Sequence, residues 1–233
     1  MNYLTQKELK TTRIFLNKGY IIKRVENVIS HKYIQKKIKN EISRLLKLKR
    51  KINLNYLHLY VSKEKLNDLR VNLINSVNKD KNFKFNYFNL AKSNLYTLIN
   101  NELMMQKNIN ISIQLPNDDS SLLPIHSDVW SGDSPYEFNL WVPMVNCYKT
   151  KSMYILNPKD NQKFNKTIIK NKKLLSSASV YNKLKKKLKW LKVNTGEFMI
   201  FDQTLPHGNV VNLEKHTRVS LNCRFKSIFS PYG

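Results

Sequence analysis

The chain is short of cysteine, of acidic side chains and of long apolar runs, and each shortage closes a class of function. Only two cysteines, Cys147 and Cys223, occur in 233 residues. Each lies in an apolar or aromatic run, with no C-x-x-C spacing and no neighbouring histidine pair. Neither zinc nor a disulfide framework is expected, and both read as small core residues. No stretch approaches the roughly 18 apolar residues of a membrane span, and the opening MNYLTQKELKTTRIF lacks the apolar core of a signal peptide. The expectation is a cytoplasmic protein with no membrane partner. Acidic residues number 16 against 41 lysines and arginines, a formal charge of +25. That balance raises nucleic acid as a partner. The excess, however, is spread along the chain with Asn and Ile, and the densest runs, 47–51 and 183–189, lack the Gly-framed aromatics of a base-stacking sheet. Nucleic acid is therefore not the expected partner, while small anions and acidic polymers stay open.

What is present suits one domain with a sizeable core. Hydrophobic residues make up 41% of the chain, and a chain of this length buries roughly 70 to 75% of its unfolded surface. Residues 1–107 read as mainly helical. Helices are expected from Thr5 to about Leu48, broken at Gly19 and a strand-like Tyr20-Ile21-Ile22, then from Ser62 to about Asn78, and from Tyr87 to Met105. The pattern changes near residue 108. Ile109 to Leu115 alternates strictly, and so does Glu137 to Met144; further short strands are expected at Ser152–Leu156, Phe198–Asp202 and Arg218–Phe225. Residues 157–192 read as a Lys- and Asn-rich insertion carrying a helix near Tyr181–Leu188 on the outside of the sheets. Helices followed by many short strands imply an α+β fold with a sandwich or jelly roll.

Five histidines allow each to be weighed. His31 and His58 lie among helical or apolar residues, and His216 lies in a polar turn; all three read as structural or surface residues. His126 and Asp128 differ. On a strand, an i, i+2 pair points to one face with roots roughly 6.6 Å apart, close enough for imidazole and carboxylate to meet on one ion. H-x-D alone is a weak signal that chance also produces. A third ligand is available at His207, which follows the strand-like Phe198–Asp202 in a loop. Two His and one carboxylate on one face of an octahedron leave positions open for a co-substrate and O2, the arrangement of non-haem Fe(II) oxygenases. Arg218 stands eleven residues beyond His207, and Arg218, Ser220, Asn222 and Arg224 share one strand face. Such a stripe is either a solvated outer face or a lining for a polar ligand, since it is costly in an interior otherwise. An Arg fork with Ser220 beside it suits a carboxylate.

The pattern resembles the 2-oxoglutarate/Fe(II) dioxygenases of the phytanoyl-CoA hydroxylase superfamily, and within it the oxygenases of bacterial carbohydrate gene clusters, akin to those of streptomycin biosynthesis. The resemblance is carried by SIQLPNDDSSLLPIHSDVWSGDSPYEFNLWVPMVNCYKTKSMYIL from Ser112 to Leu156, by FDQTLPHGN and TRVSLNCRFK, and more loosely by FLNKGYII. It covers most of the chain but the insertion poorly. It implies a cupin-like double-stranded β-helix in which His126, Asp128 and His207 bind iron and Arg218 holds the distal carboxylate of 2-oxoglutarate. Ser220, Asn209 and Trp141 would line the same pocket. The implied reaction decarboxylates 2-oxoglutarate to succinate and CO2 while oxidising a C–H bond. Related halogenases leave the carboxylate position empty, so Asp128 favours hydroxylation, or a desaturation or ring-forming variant, over halogenation.

A small carbohydrate-derived acceptor follows from the same resemblance and from no residue. Gln114, Asn139 and Lys151 are the foremost candidates for touching it, ahead of Tyr136, Asp118, Asp119 and Asp133, which also suit turns. Two other readings stay open: a non-redox cupin-like metalloprotein, such as an isomerase or sugar-binding module, and a basic nucleic-acid-binding protein.

Overall fold

The computed structural model describes residues 3–171 and 176–231. The first helix, α1 (Gln6–Lys18), opens with a reciprocal Thr5–Glu8 capping box and ends at Gly19, whose φ of 76° turns the chain into strand β1 (Tyr20–Arg24). Helices α2 (Val28–Leu45) and α3 (Lys63–Asn78) follow, then α4 (Lys81–Asn89) and α5 (Lys92–Leu98). In α2, Ile34, Ile38 and Ile42 recur every fourth residue and are fully buried; α3 buries Leu66, Leu69, Leu73 and Val77 on the matching face.

Strand β2 (Leu103–Met105) occupies the end of what reads in sequence as one helix over 87–105, so that expectation fails. The apolar spacing is compatible with a helix, but residues 100–102 turn. Leu103, Met104 and Met105 then pair with Ser227, Lys226 and Phe225, and Asn100 donates to the Ser227 hydroxyl at 2.6 Å. Tertiary pairing overrides local periodicity here.

Strands β3 (Asn110–Gln114), β4 (Phe138–Pro143), β7 (Glu197–Asp202) and β9 (Arg218–Ser227) form with β1 and β2 an antiparallel sheet in the order β1-β7-β4-β9-β2, with β3 also on β9. A smaller sheet runs β6 (Lys189–Trp190), β5 (Tyr154–Ile155), β8 (His207–Gly208). Register makes the large sheet two-faced. Gln114 sits opposite Arg218, Ser112 opposite Ser220, Trp141 opposite Asn222 and Asn139 opposite Arg224. Between them Ile111, Ile113, Leu140, Val142, Val219, Leu221 and Cys223 share the other face and are buried in the main core with the residues of α2 and α3. The helical layer thus covers the apolar face; Tyr87 of α4 donates its hydroxyl to the Leu140 carbonyl at 2.6 Å. The polar face looks toward the small sheet.

Both cysteines are buried and free, as expected of core residues. Among the described residues of the 157–192 segment are two helices, α6 (Pro158–Asn171) and α7 (Ser177–Leu184), so the helix expected at 181–188 lies further back in the chain. Phe164, Val180 and Leu184 close a second apolar cluster over Ile125, Tyr154 and Leu156. The end of the segment is not an external appendage: β6 completes the small sheet. No helix among the described residues is long and apolar enough to cross a membrane.

Candidate metal centre

His126 and His207 come from segments far apart in the chain and meet as a backbone pair: His126 N–H donates to the His207 carbonyl at 2.9 Å, and His207 N–H returns the bond at 2.8 Å. Leu123 and Asn209 repeat the exchange one step along, with the Leu123 N–H on the Asn209 side-chain oxygen and the Asn209 N–H on the Leu123 carbonyl. Gly208 lies between. A Cβ there would fall 2.7 Å from the Leu123 oxygen and 2.8 Å from the Tyr154 hydroxyl, so only glycine permits this approach.

Each imidazole is oriented by the carbonyl two residues before it, His126 Nδ1 by Pro124 O at 2.7 Å and His207 Nδ1 by Leu205 O at 2.9 Å. An Nδ1–H that donates to a carbonyl leaves Nε2 bare, the tautomer a metal requires. Asp128 is not on a strand with His126, contrary to the sequence reading. It opens a short 3-10 turn, Asp128–Ser131, held by its N–H on the Gln203 carbonyl and by the Ser127 hydroxyl on Thr204 O. Its Oδ1 stands 3.3 Å from His126 Nε2 and 3.6 Å from His207 Nε2, and the three donor atoms lie within 4.8 Å of one another. Two imidazole nitrogens and a carboxylate oxygen on one side of a cavity fit a divalent iron-type ion.

The electrostatics agree. Burial lowers the His207 pKa to about 4, with His126 adding to the effect, so its ring is neutral at physiological pH. Burial also opposes protonation of His126, but the Asp128 carboxylate and the Pro124 carbonyl together outweigh it and the pKa rises. For Asp128, burial favours the neutral acid, and His126, His207 and Arg224 together pull the pKa down.

The ligands open onto a cavity of about 210 Å³ that also takes in Ser112, Asn139, Trp141, Asn209, Arg218 and Arg224. That is smaller than a drug-sized pocket and suits a small acid. Arg218 is 3% exposed, donates to the Ser152 carbonyl at 3.1 Å and the Ser112 hydroxyl at 2.9 Å, and has no ion-pair partner among the described residues. Its Nε and the Ser220 hydroxyl on the same strand face are buried without partners. A buried cation with a donor left over beside a small cavity fits a carboxylate ligand; the orphaned Ser220 hydroxyl neighbours it on the strand but is not part of the cavity lining.

Not every residue singled out in the sequence arrives at this cavity. Asn139 and Trp141 line it, and Asn209 both lines it and ties Leu123. Gln114 is buried off the lining, its amide nitrogen spent on Val210 O at 2.6 Å. Lys151 turns the other way and lines a different cavity. Asp118 caps Ser120, while Asp133 joins an ion-pair cluster. The sequence reading missed Arg224 as an individual residue. It pairs with Asp128 Oδ2 at 3.3 Å, Asp133 at 2.8 Å and Glu137 at 3.9 Å, and so holds the ligand oxygen that faces away from the imidazoles. Its place on the Arg218 stripe was the available signal.

No family model matches the sequence, and no curated protein matches it. Solved structures do match in fold. A non-heme monooxygenase, ThoJ, in complex with nickel shares 12% identity over 96% of this chain and 80% of its own, with a TM-score of 0.53. HygX from Streptomyces hygroscopicus with nickel and 2-oxoglutarate bound shares 12% over 97% and 88%, TM-score 0.56. EctD from S. alaskensis with 2-oxoglutarate and 5-hydroxyectoine shares 12% over 97% and 77%, TM-score 0.55. At such identities the likeness bears on architecture, and it agrees with the α+β jelly roll described above.

Proposed function

We propose that the chain is a non-haem Fe(II)- and 2-oxoglutarate-dependent oxygenase that oxidises a C–H bond of a small, carbohydrate-derived molecule. The observation that carries this reading is the pairing, in one small cavity, of a His126–Asp128–His207 triad with the buried, carboxylate-free Arg218. Known proteins of similar fold point the same way: HygX holds nickel and 2-oxoglutarate, and ThoJ is a non-heme monooxygenase.

Fe(II) would supply O2 activation, with 2-oxoglutarate leaving as succinate and CO2. The rest is work for the chain. His126, His207 and Asp128 would hold the ion, and Arg224 would keep Asp128 presenting one oxygen. Arg218 and Ser220 would anchor the far carboxylate of the diacid, whose charge compensates the buried guanidinium. Trp141 and Phe201, whose ring meets His207 edge-on at 5.0 Å, would exclude water from the reacting atoms. Gln106, Asn110, Asn139 and Asn222 line the cavity with neutral amides, a chemistry suited to hydroxyl groups, and this supports a polyhydroxylated acceptor. Gln114 and Lys151 lie outside that lining and are not assigned to substrate.

The test is anaerobic addition of Fe(II) and 2-oxoglutarate, followed by air. A weak visible charge-transfer band and succinate release are expected, and both should vanish in Asp128→Ala. Metal binding with neither band nor succinate would replace this reading by the non-redox metalloprotein.

A further inference from the structure

Lys151 is a second buried cation that the metal cavity does not use. It sits at the end of a short 3-10 turn, Lys149–Lys151, and is 1% exposed. Among the described residues its ammonium has one hydrogen bond, to the neutral Asn55 side-chain oxygen at 2.8 Å, and it stands 5.8 Å from the centre of the Tyr148 ring. It forms no ion pair among the described residues. Glu214 acts on it only through space, and the Glu214 carboxylate is engaged by the Thr150 hydroxyl at 3.4 Å. An ammonium has three donors, so two remain for a ligand or solvent. Burying a cation with no carboxylate bonded to it is costly: burial lowers the Lys151 pKa, and an anion brought beside the ammonium would offset that cost.

The space beside it is large enough to take one. A cavity of about 570 Å³ is bounded by Lys39 of α2, Asn55, Tyr56, Tyr148, Lys151 and His216, and no carboxylate lines it. Lys39 is half-buried at the rim, so a cation is available there as well as at the floor, and the half-buried His216 adds a ring nitrogen. An adjoining cavity shares Asn146 and Tyr148 and adds Lys149, Trp190 and Lys192, again with no carboxylate. No residue lining either of these cavities also lines the metal cavity.

We propose that this cavity is an anion site, with Lys151 at its floor and Lys39 and His216 at its rim, that binds a phosphate group either as the free ion or as part of a phosphorylated small molecule. Lys151 supplies the desolvated charge and the Asn53, Asn55 and Asn146 amides supply neutral hydrogen bonds. Tyr56 and Tyr148 give the organic part of a larger ligand an aromatic surface. The site stands independently of the metal chemistry.

Isothermal titration calorimetry on the full chain tests it, with inorganic phosphate and glucose 6-phosphate as probes, glucose as the uncharged control, and chloride holding ionic strength constant. Saturable phosphate binding is expected, at least tenfold weaker in Lys151→Met and unchanged in Lys186→Met, which removes the same charge from an exposed position. Tighter binding of glucose 6-phosphate than of phosphate would identify the ligand as a phosphorylated metabolite; the reverse order would identify the free ion. Lys39→Gln, at the half-buried rim, should weaken binding severalfold and serves if Lys151→Met does not fold. Absence of saturable binding would overturn the proposal. So would undiminished binding in Lys151→Met, which keeps Arg218 and Arg224 and would place the anion in the metal cavity.

Discussion

Strand β9 carries two arginines on one face, and the two live in opposite circumstances. Arg224 is half-buried and surrounded by Asp128, Asp133 and Glu137. Arg218, six residues earlier, is almost wholly enclosed, bonded only to a carbonyl and a hydroxyl, with Nε left over. Burial bears hardest on Arg218, lowering its pKa. A guanidinium already matched by carboxylates is part of the scaffold, whereas one held in a dry site without a counter-charge implies a ligand that brings it. Under the proposed function, the contrast would give Arg224 the task of positioning the metal ligand and Arg218 that of receiving the diacid.

The largest effect should come from Arg218→Met. Removing one partner of a buried charge pair costs about 2 to 5 kcal/mol, so 2-oxoglutarate affinity should fall at least roughly thirtyfold. Thermal stability of the ligand-free protein should hold or rise, because an apolar side chain relieves an uncompensated charge. A marked fall in melting temperature, with 2-oxoglutarate affinity intact, would erase the contrast. Arg224→Gln should act the other way: metal affinity falls about 10- to 100-fold, as expected when the group orienting a ligating carboxylate is lost. The 2-oxoglutarate affinity of the metal-loaded protein should change less. Titration with nickel, followed by calorimetry, separates the two effects.

The smallest effect concerns pH in the metal-free protein. His207 titrates near 4 when folded and near its ordinary value of about 6.5 when unfolded, so between these values the unfolded chain binds the extra proton. Stability should therefore fall as pH drops from about 6.5 toward 4. His126, whose folded pKa is raised, has the opposite sign and loses its contribution as pH rises through that value. Urea unfolding at pH 7 and pH 5 should show the loss in the wild type and not in His207→Gln. Because Arg224 adds a minor downward pull on the His207 pKa, Arg224→Gln should trim the loss slightly.

Much of this was legible in the chain, and the illegible parts share a cause. Alternation in 109–115 and 137–144 marked β3 and β4 because one face of each is apolar and packs on the helical layer. The i, i+4 isoleucines marked α2 for a similar reason. His126, Asp128 and His207 could be picked out because histidine is scarce in this sequence. What failed needed partners distant in sequence. Leu103–Met105 is a strand only because the far end of β9 lies beside it, and the two-residue strand at His207–Gly208 has no length in which periodicity can show. Lys151 reads as a plausible substrate contact until the fold turns it toward Asn55. Arg224 reads as one member of a stripe until Asp133 and Glu137 arrive from a neighbouring turn.

The reciprocal amide exchange between residues 126 and 207 has one more consequence. Because the main chain itself clasps these positions, the spacing of the two rings is set while the polypeptide folds, before any ion arrives. The ion then meets jaws already at working distance, and little of its affinity is spent on gathering them. Under the proposed function, emptying and refilling the centre should leave both sheets undisturbed, so that loss of the ion would silence the protein without unravelling it.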